Sequence, residues 1–407
     1  MIDRYEDRVN HGGRVLMFSQ RNIYEQEAFR CPLYEFEEIV RQIDSVELVA
    51  PTPQKWFRAL KNNAMRFGKY SGAVLNPGLR RIKVDKYYDL FVAICQFPGE
   101  ILHLAAVEGW KDKCKNSICI IDEFWTSEFQ LYKGSLRVLS KFDIVLVSCS
   151  QSVKHLSEIT KANCLYGPLG VDAILFCPYP KIARRVIDIL SIGRRGEKTH
   201  QAILKRAREN KTFYMFDTMK GLHVSHLGEH RSLLADIAKR SRYFFVNPGR
   251  IDRPKEVGDQ SETGSRYYEG AAAGAILIGE EPRNQHFKKE FHWPDAVIEL
   301  PYNSGNVCEV IEDLDGQPER RKEIRKNNVI NSLLQHDWVY RWEKVLEICG
   351  LDPLPQLLAR KKRLRDLSIM VEKAVLGWVS LTLLLRELLH RLPPNMQILP
   401  QQLLPLN

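Results

Sequence analysis

The sequence predicts an α/β protein: two doubly wound parallel-sheet domains facing a cleft, followed by a C-terminal helical extension. Three observations carry this. Short apolar runs alternate with helical stretches from residue 14 to about 350, the pattern of parallel strands covered on both faces by crossover helices. The alternation stops and restarts across a proline-bearing join, Phe176-Cys177-Pro178-Tyr179-Pro180, so there are two sets of strands. Beyond residue 350 apolar residues recur at steps of three and four, a helical period. The expected units are residues 1–180, 181–350 and 351–407. At 407 residues, 44% apolar and 27% charged, the chain is long enough for two full cores. Doubly wound sheets bind ligands at the carboxyl ends of their strands, so the site is expected in the cleft.

In the first set, strands are predicted at Arg14–Phe18, Ser45–Val49, Leu90–Ile94, Ile118–Ile121 and Ile144–Val147. After Pro180 they recur at Val186–Ile192, Phe213–Phe216, Tyr243–Val246, Ala275–Ile278 and Ala296–Leu300, with helices such as Gln201–Asn210 and Arg231–Arg240 between them. Residues 305–351 read as closing helices. Asp337 is placed to cap one of these, with Trp338, Trp342, Val345 and Leu346 on its buried side. His336 beside it reads as a structural partner, not a catalyst. In the tail, Leu364, Leu367, Val371, Ala374, Trp378, Leu381, Leu385, Leu388 and Leu392 form a heptad pattern behind the basic cluster Arg360-Lys-Lys-Arg-Leu-Arg365. Two placements suit it: docking on its own domain or a second copy, or lying in an anionic membrane interface. Its apolar run is too short to span, and the prolines from Pro393 onward exclude regular structure at the end.

The formal net charge of +10 favours anionic partners, and residues 351–407 alone hold eight Lys/Arg against four Asp/Glu. No zinc finger, RNA-binding signature or aromatic-basic repeat supports nucleic acid. The nine cysteines include no Cys-x-x-Cys pair, which reads as reduced, mostly buried thiols in a cytoplasmic protein. The first residues carry no signal-peptide core, and no transmembrane run is present. A peripheral position at the inner face of the membrane follows only if the tail binds lipid.

The stretch richest in chemistry is Glu262-Thr-Gly264-Ser265-Arg-Tyr-Tyr-Glu269-Gly-Ala-Ala-Ala-Gly274. A glycine at a loop-to-helix junction leaves N–H groups and a positive dipole end free for phosphate oxygens. A carboxylate one turn on can accept hydrogen bonds from sugar hydroxyls. Together they suggest a pocket for a sugar attached to a phosphate. An ordinary amphipathic helix packed through Ala271–Ala273 accounts for the same residues.

The order of motifs then resembles a known class. Asp89-Leu-Phe-Val-Ala-Ile, Ile120-Ile-Asp-Glu, Asp143-Ile-Val-Leu-Val-Ser148 and Gly167-Pro-Leu-Gly-Val-Asp172 come in sequence. They resemble the N-terminal half and hinge of group 1 glycosyltransferases, which have two Rossmann-like domains (the GT-B fold). Ser191-Ile-Gly193-Arg194-Arg-Gly-Glu-Lys198 resembles the family's first donor-domain strand and phosphate loop, and Glu262 to Gly274 its paired-glutamate motif. Arg-Tyr-Tyr-Glu-Gly-Ala-Ala-Ala-Gly with His336-Asp-Trp resembles the spore-maturation CgeB-like branch.

The resemblance implies a nucleotide-diphosphate-sugar donor bound to the second domain. Gly193, Arg194, Lys198, Gly264 and Ser265 would face the diphosphate, Glu269 the ribose hydroxyls and Glu262 the transferred sugar. Six residues separate the two glutamates, one fewer than the family's usual spacing, so Glu269 transfers more safely than Glu262. Arg266 has no counterpart in the family and reads as a surface charge. Asp122 and Glu123 end a strand of the acceptor domain. One of them could be the general base on an acceptor hydroxyl in an inverting reaction; equally, either could only hydrogen-bond substrate or cap the following segment. The family's glycine-rich loop after the first strand is absent, with Phe18-Ser-Gln-Arg-Asn22 in its place, so acceptor contacts do not carry over. The expected activity is metal-independent transfer of a sugar, with no cofactor, to a glycan, lipid-linked or protein acceptor. The alternatives on the same fold are a non-catalytic sugar or nucleotide binder and a nucleotide-sugar epimerase.

Overall fold

The structure, a computed structural model, describes residues 13–24, 27–210, 212–218 and 223–390, with side chains described as far as 374 except at 210. Its strands are β1 (Val15–Phe18), β2 (Val46–Val49), β3 (Ile82–Lys83), β4 (Tyr88–Cys95), β5 (Val107–Glu108), β6 (Cys114–Ile121), β7 (Ile144–Val147), β8 (Asn163–Tyr166), β9 (Ile187–Ser191), β10 (Tyr214–Phe216), β11 (Ser241–Val246), β12 (Ile276–Gly279) and β13 (Ile298–Glu299). They form a six-stranded sheet in the order β2-β1-β4-β6-β7-β8 and a five-stranded sheet in the order β10-β9-β11-β12-β13, with β3 and β5 paired apart. Every pairing within the two large sheets is parallel. This is the predicted α/β, GT-B architecture.

Two details differ from the sequence expectation. β8, Asn163-Cys-Leu-Tyr, opens on a polar residue at a sheet edge, so no contiguous apolar run marks it. Only Ile298 and Glu299 of the last expected strand pair with β12; Leu300 adds one N–H bond to the Gly279 carbonyl at 2.9 Å, while Ala296 and Val297 bury as core before the strand begins.

Register positions the site. Cys95 lies opposite Ile121, and Ile121 opposite Val147. The next residues, Gln96, Asp122 and Ser148, therefore stand together at the carboxyl edge of the first sheet. In the second sheet Ser191 lies opposite Phe216 and Phe245, so the loop beginning at Ile192 opens beside the end of β11.

One hydrophobic cluster runs through both domains, from Val15, Phe36 and Leu90 to Tyr268, Trp338 and Trp342. The helix Trp338–Cys349 returns to the first domain. Phe36 packs against Trp338 at 5.1 Å between centroids, and the Trp342 indole N–H donates to Asp44 at 2.8 Å. Asp337 caps this helix, accepting from the Val339 N–H at 2.9 Å. His336 is buried and its Nε2 meets the Glu290 carbonyl at 2.9 Å. Burial and nearby Arg341 press it down to about 3, so it stays neutral and structural.

The tail forms a helix, Pro355–His390. Leu357, Leu364 and Val371 are fully buried, and the helix packs against Cys31–Ile43, Pro318–Asn331 and Trp338–Cys349. The tail therefore docks as far as residue 371. Its side chains from Trp378 to Leu392 lie outside those described. Part of the basic cluster is consumed by docking: Arg360 bridges Asp172 at 2.7 Å and Asp337 at 2.8 Å, and Lys361 pairs with Glu343 at 2.6 Å. The nine cysteines are free and mostly buried. Among the described residues no helix is long and apolar enough to cross a membrane.

Candidate functional site

Two neighbouring carboxylates end β6, and their surroundings separate them. Asp122 accepts from the Ser148 hydroxyl at 2.9 Å and from the Gln96 amide. Its burial, with the charge of Glu123 beside it, pushes it up to about 7. Glu123 accepts from Arg250 Nε at 2.7 Å and the Trp125 indole at 3.3 Å. Glu123 is thus committed to an ion pair, whereas Asp122 can hold or release a proton near neutral pH, as a general base requires.

The opposite wall is built at the carboxyl edge of the second sheet. Gly193 has φ of +98°, a left-handed turn that glycine adopts without a Cβ clash. Its N–H donates to both Asp217 oxygens, at 3.1 and 3.2 Å. Gly196 is held so close to the loop after β13 that a Cβ there would lie 2.1 Å from the Tyr302 carbonyl oxygen. Between these glycines Arg194 and Arg195 leave the sheet in different directions. Arg195 pairs with Asp217 beneath the loop, and Arg194 reaches Asp252 at 2.7 Å on the exposed side. Lys198 starts the helix Glu197–Asn210. Its N–H donates to Asn303 at 2.8 Å, and its side chain is exposed. A shallow pocket lies at this edge between Ser191, Arg194, Thr199, Asn247, Gly279 and Tyr302.

Gly264 caps the helix Ser265–Ala272 with its Cβ position 3.7 Å from the Asn247 carbonyl. The start of that helix therefore lies beside Asn247, one of the residues that line the pocket. The first N–H groups of a helix have no partner within it and carry its positive dipole end. Gly193, Arg194, Lys198, Gly264 and Ser265 are brought to one edge.

The two glutamates of the motif stand elsewhere. Glu269 is fully buried between the guanidinium groups of Arg231 and Arg266. Burial opposes its charge, but Arg266 and Arg231 outweigh it and hold the carboxyl down at about 2. Arg231 continues across the domain boundary to Glu35, at 2.6 and 3.1 Å. Arg266 is thus a partner of Glu269 rather than the surface charge expected from sequence. Glu262 accepts from the Ser150 hydroxyl and the Gln151 N–H, both at 2.8 Å, so both its oxygens face the opposing domain. A sugar contact by either glutamate requires these partners to move.

Residues 247–264 form a strap from the second domain across the carboxyl edge of the first. Arg250, at φ of +51°, reaches Glu123 and also Glu128 at 2.8 Å. Val257 enters the first domain's core. Gln260 accepts from the Thr126 N–H at 2.8 Å. Sequence reasoning passed over Gln96, Ser148, Arg231, Arg250 and Gln260. Gln96 and Ser148 carry a local signal as polar residues directly after strand ends, and Arg250 as a cation just past one in Pro248-Gly249-Arg250; Arg231 and Gln260 carry none.

Residues 197–347 match the model of a family described as glycosyl transferase-like. The matched segment begins one residue before Lys198, at the pocket just described, and ends within the closing helix. Among solved structures, an alpha-glucosyltransferase in complex with UDP-glucose and DNA containing an abasic site is 11% identical, with a TM-score of 0.50 over 83% of this chain and 99% of that one. Anabaena Alr3699/HepE in complex with UDP and glucose is 10% identical, at 0.47 over 83% and 100%. A mutant of S. aureus TarM is 10% identical, at 0.44, and the match covers 64% of this chain and 55% of that one. At these identities the likeness concerns fold, not substrate. No curated protein matches the chain in sequence.

Proposed function

We propose that the protein is a glycosyltransferase that moves a sugar from a nucleoside diphosphate sugar to an acceptor hydroxyl, within the CgeB-like branch of the group 1 enzymes. One coincidence supports this most. The glycosyl transferase-like segment, residues 197–347, supplies Lys198 and the Gly264–Ser265 helix start, and Gly193 and Arg194 stand just before it at the same sheet edge. In this reading the diphosphate lies against that helix start, and Arg194 and Lys198 stabilise the charge that builds on it as it leaves. Ionised Asp122 takes the proton of the acceptor hydroxyl. The acceptor oxygen bonds to the anomeric carbon while the bond to the diphosphate breaks, and the electron pair departs on the diphosphate. A base on the acceptor side implies inversion. The acceptor is a glycan, lipid-linked or protein hydroxyl, and the chain works in the cytoplasm without metal or other cofactor, so activity should persist in EDTA.

The test is a thermal-shift panel of nucleoside diphosphate sugars, since a ligand of the folded state raises Tm by mass action. With the donor that shifts Tm most, Arg194→Ala/Lys198→Ala should weaken binding by about 2–3 kcal/mol, the scale of charge-assisted hydrogen bonds. Its own Tm should stay near wild type, because both side chains are exposed. The absence of any shift across the panel overturns the proposal. Binding without transfer or donor hydrolysis favours a binder, and a changed sugar still joined to its nucleotide favours an epimerase.

A further inference from the structure

Outside the cleft, residues 48–84 contain eight Lys/Arg and no Asp or Glu. They include the helix Phe57–Ser71, which buries only Phe57, Ala64 and Gly68. Trp56, Leu60, Asn63, Phe67 and Tyr70 follow one another at steps of four and three, so they share one face of the helix. That face points to solvent: Trp56 is 69% exposed, Leu60 45%, Phe67 58% and Tyr70 72%. Around the helix from this stripe stand Lys55, Arg58, Arg66 and Lys69, none of which meets a carboxylate among the described residues. Arg81 and Lys83, further along, do have such partners in Glu108 and Asp85. Beside the cations a groove of about 200 Å³ opens between Met65, Leu102, Leu131 and Tyr132, with Arg66 and Lys69 at its rim. The buried Ser135 hydroxyl on its wall has no partner.

Scattered apolar side chains on a protein surface are ordinary, but a contiguous stripe of them marks a contact. Here the stripe lies beside unpaired cations, the division of labour found where a helix lies in a lipid interface. Aromatic and aliphatic groups sit below the headgroups while lysine and arginine reach lipid phosphates. We propose that the helix Phe57–Ser71 docks the protein on an anionic phospholipid surface. Trp56, Leu60, Phe67 and Tyr70 enter the interface, and Lys55, Arg58, Arg66 and Lys69 face the phosphates. A nucleic acid would engage the cations but leave the separate stripe with Leu60 and Phe67 in water. The helix starts beside the carboxyl end of β1: Lys61 donates to the Tyr24 hydroxyl at 2.6 Å, and the Phe57 and His103 rings lie 6.1 Å apart. Docking through it brings the acceptor side of the cleft towards the bilayer. The inference rests on this surface alone and stands apart from the donor reading.

The experiment is co-sedimentation of the full chain with vesicles of phosphatidylglycerol and phosphatidylcholine, or of phosphatidylcholine alone. Binding should need the anionic lipid and fall as salt rises. Two variants, Trp56→Ala/Phe67→Ala/Tyr70→Ala and Arg58→Gln/Arg66→Gln, change only exposed side chains. They should keep the wild-type Tm and lower the partition coefficient by about tenfold or more. Lys362→Gln/Arg363→Gln, on the exposed face of the tail, should bind as wild type. The proposal is overturned if wild-type protein stays in the supernatant with anionic vesicles at low salt. It is equally overturned if the helix variants pellet as wild type, or if only the tail variant loses binding. Binding of a DNA duplex that depends on Arg58 and Arg66, without vesicle binding, also overturns it.

Discussion

The two domains meet through arginine–glutamate contacts on both sides of their boundary, but the two sides are built differently. On the hinge side Arg231 lies between Glu35 and Glu269, all three buried. Glu35 also accepts from the Trp338 indole and the Asp172 N–H, each at 2.8 Å. On the cleft side Arg250 reaches Glu123 and Glu128, whose side chains keep contact with solvent. Arg250 is itself buried, but carboxylates that reach solvent can exchange partners with water or substrate at smaller loss than the wholly buried Glu35 and Glu269, whose desolvation requires pairing. The hinge side is therefore suited to stay closed through a catalytic cycle, and the cleft side to open for substrate.

The largest expected effect breaks the hinge side. Arg231→Met leaves Glu35 and Glu269 buried without their shared cation and should cost about 3–5 kcal/mol, read by urea denaturation. A loss below about 1 kcal/mol would make the hinge contact no stronger than an exposed pair. Acid gives a second reading. Glu269 is held at about 2, against an ordinary value of 4.5. Its depressed value adds stability in full above 4.5, and that contribution disappears as pH falls towards 2. Glu35 is raised by its burial, ahead of the lowering pull of Arg231, and acts in the opposite sense. Glu269→Gln should therefore lose stability at neutral pH and show a flatter acid limb below 4.5.

Next in size is chemistry on the cleft side. Asp122→Asn should lower kcat about a hundredfold or more, the scale of general-base catalysis, and abolish an acid limb centred near 7. The sign follows from the base: Asp122 must be ionised to accept a proton, so the rate falls as pH drops through about 7. Arg250→Gln sharpens this. Without its cation Glu123 exerts its full charge on Asp122 and raises it further, so the acid limb should move to higher pH. A profile unchanged in Arg250→Gln would separate the two carboxylates and remove the ion pair from the mechanism.

The same contrast explains what could be read from the chain alone. Leu90–Cys95 of β4 and Ile118–Ile121 of β6 are apolar runs, and the join at Pro180 divides the two sheets, so the architecture follows from local pattern. Asp122 and Glu123 were legible for the same reason, since a strand's end marks where its next residues emerge. Arg231 was not. It meets Glu35 across 196 positions of sequence, and nothing near either residue encodes the other. Spacing places Glu269 one turn into a helix but is silent about which way its carboxylate faces. That direction depends on Arg231 and Arg266 arriving from either side.

The smallest expected effect concerns Glu262, and it decides between two roles. As a latch, Glu262 holds the turn at Ser150 and Gln151 and must let go when the cleft opens. Glu262→Gln keeps an acceptor oxygen for one of those two donors, so stability should change by about 1 kcal/mol or less, the net worth of one hydrogen bond. Loosening the latch raises the population of the open state. Any ligand that requires that state then gains apparent affinity by the same factor. A free nucleoside diphosphate and the corresponding nucleotide sugar should therefore both bind more tightly, and by the same ratio. As a sugar contact, Glu262 would act on the sugar alone: affinity for the nucleotide sugar would fall and affinity for the free diphosphate would not change. Calorimetric titration of both ligands into wild type and Glu262→Gln separates the two outcomes, because a shift common to both ligands comes from the domains and a shift confined to one comes from the sugar.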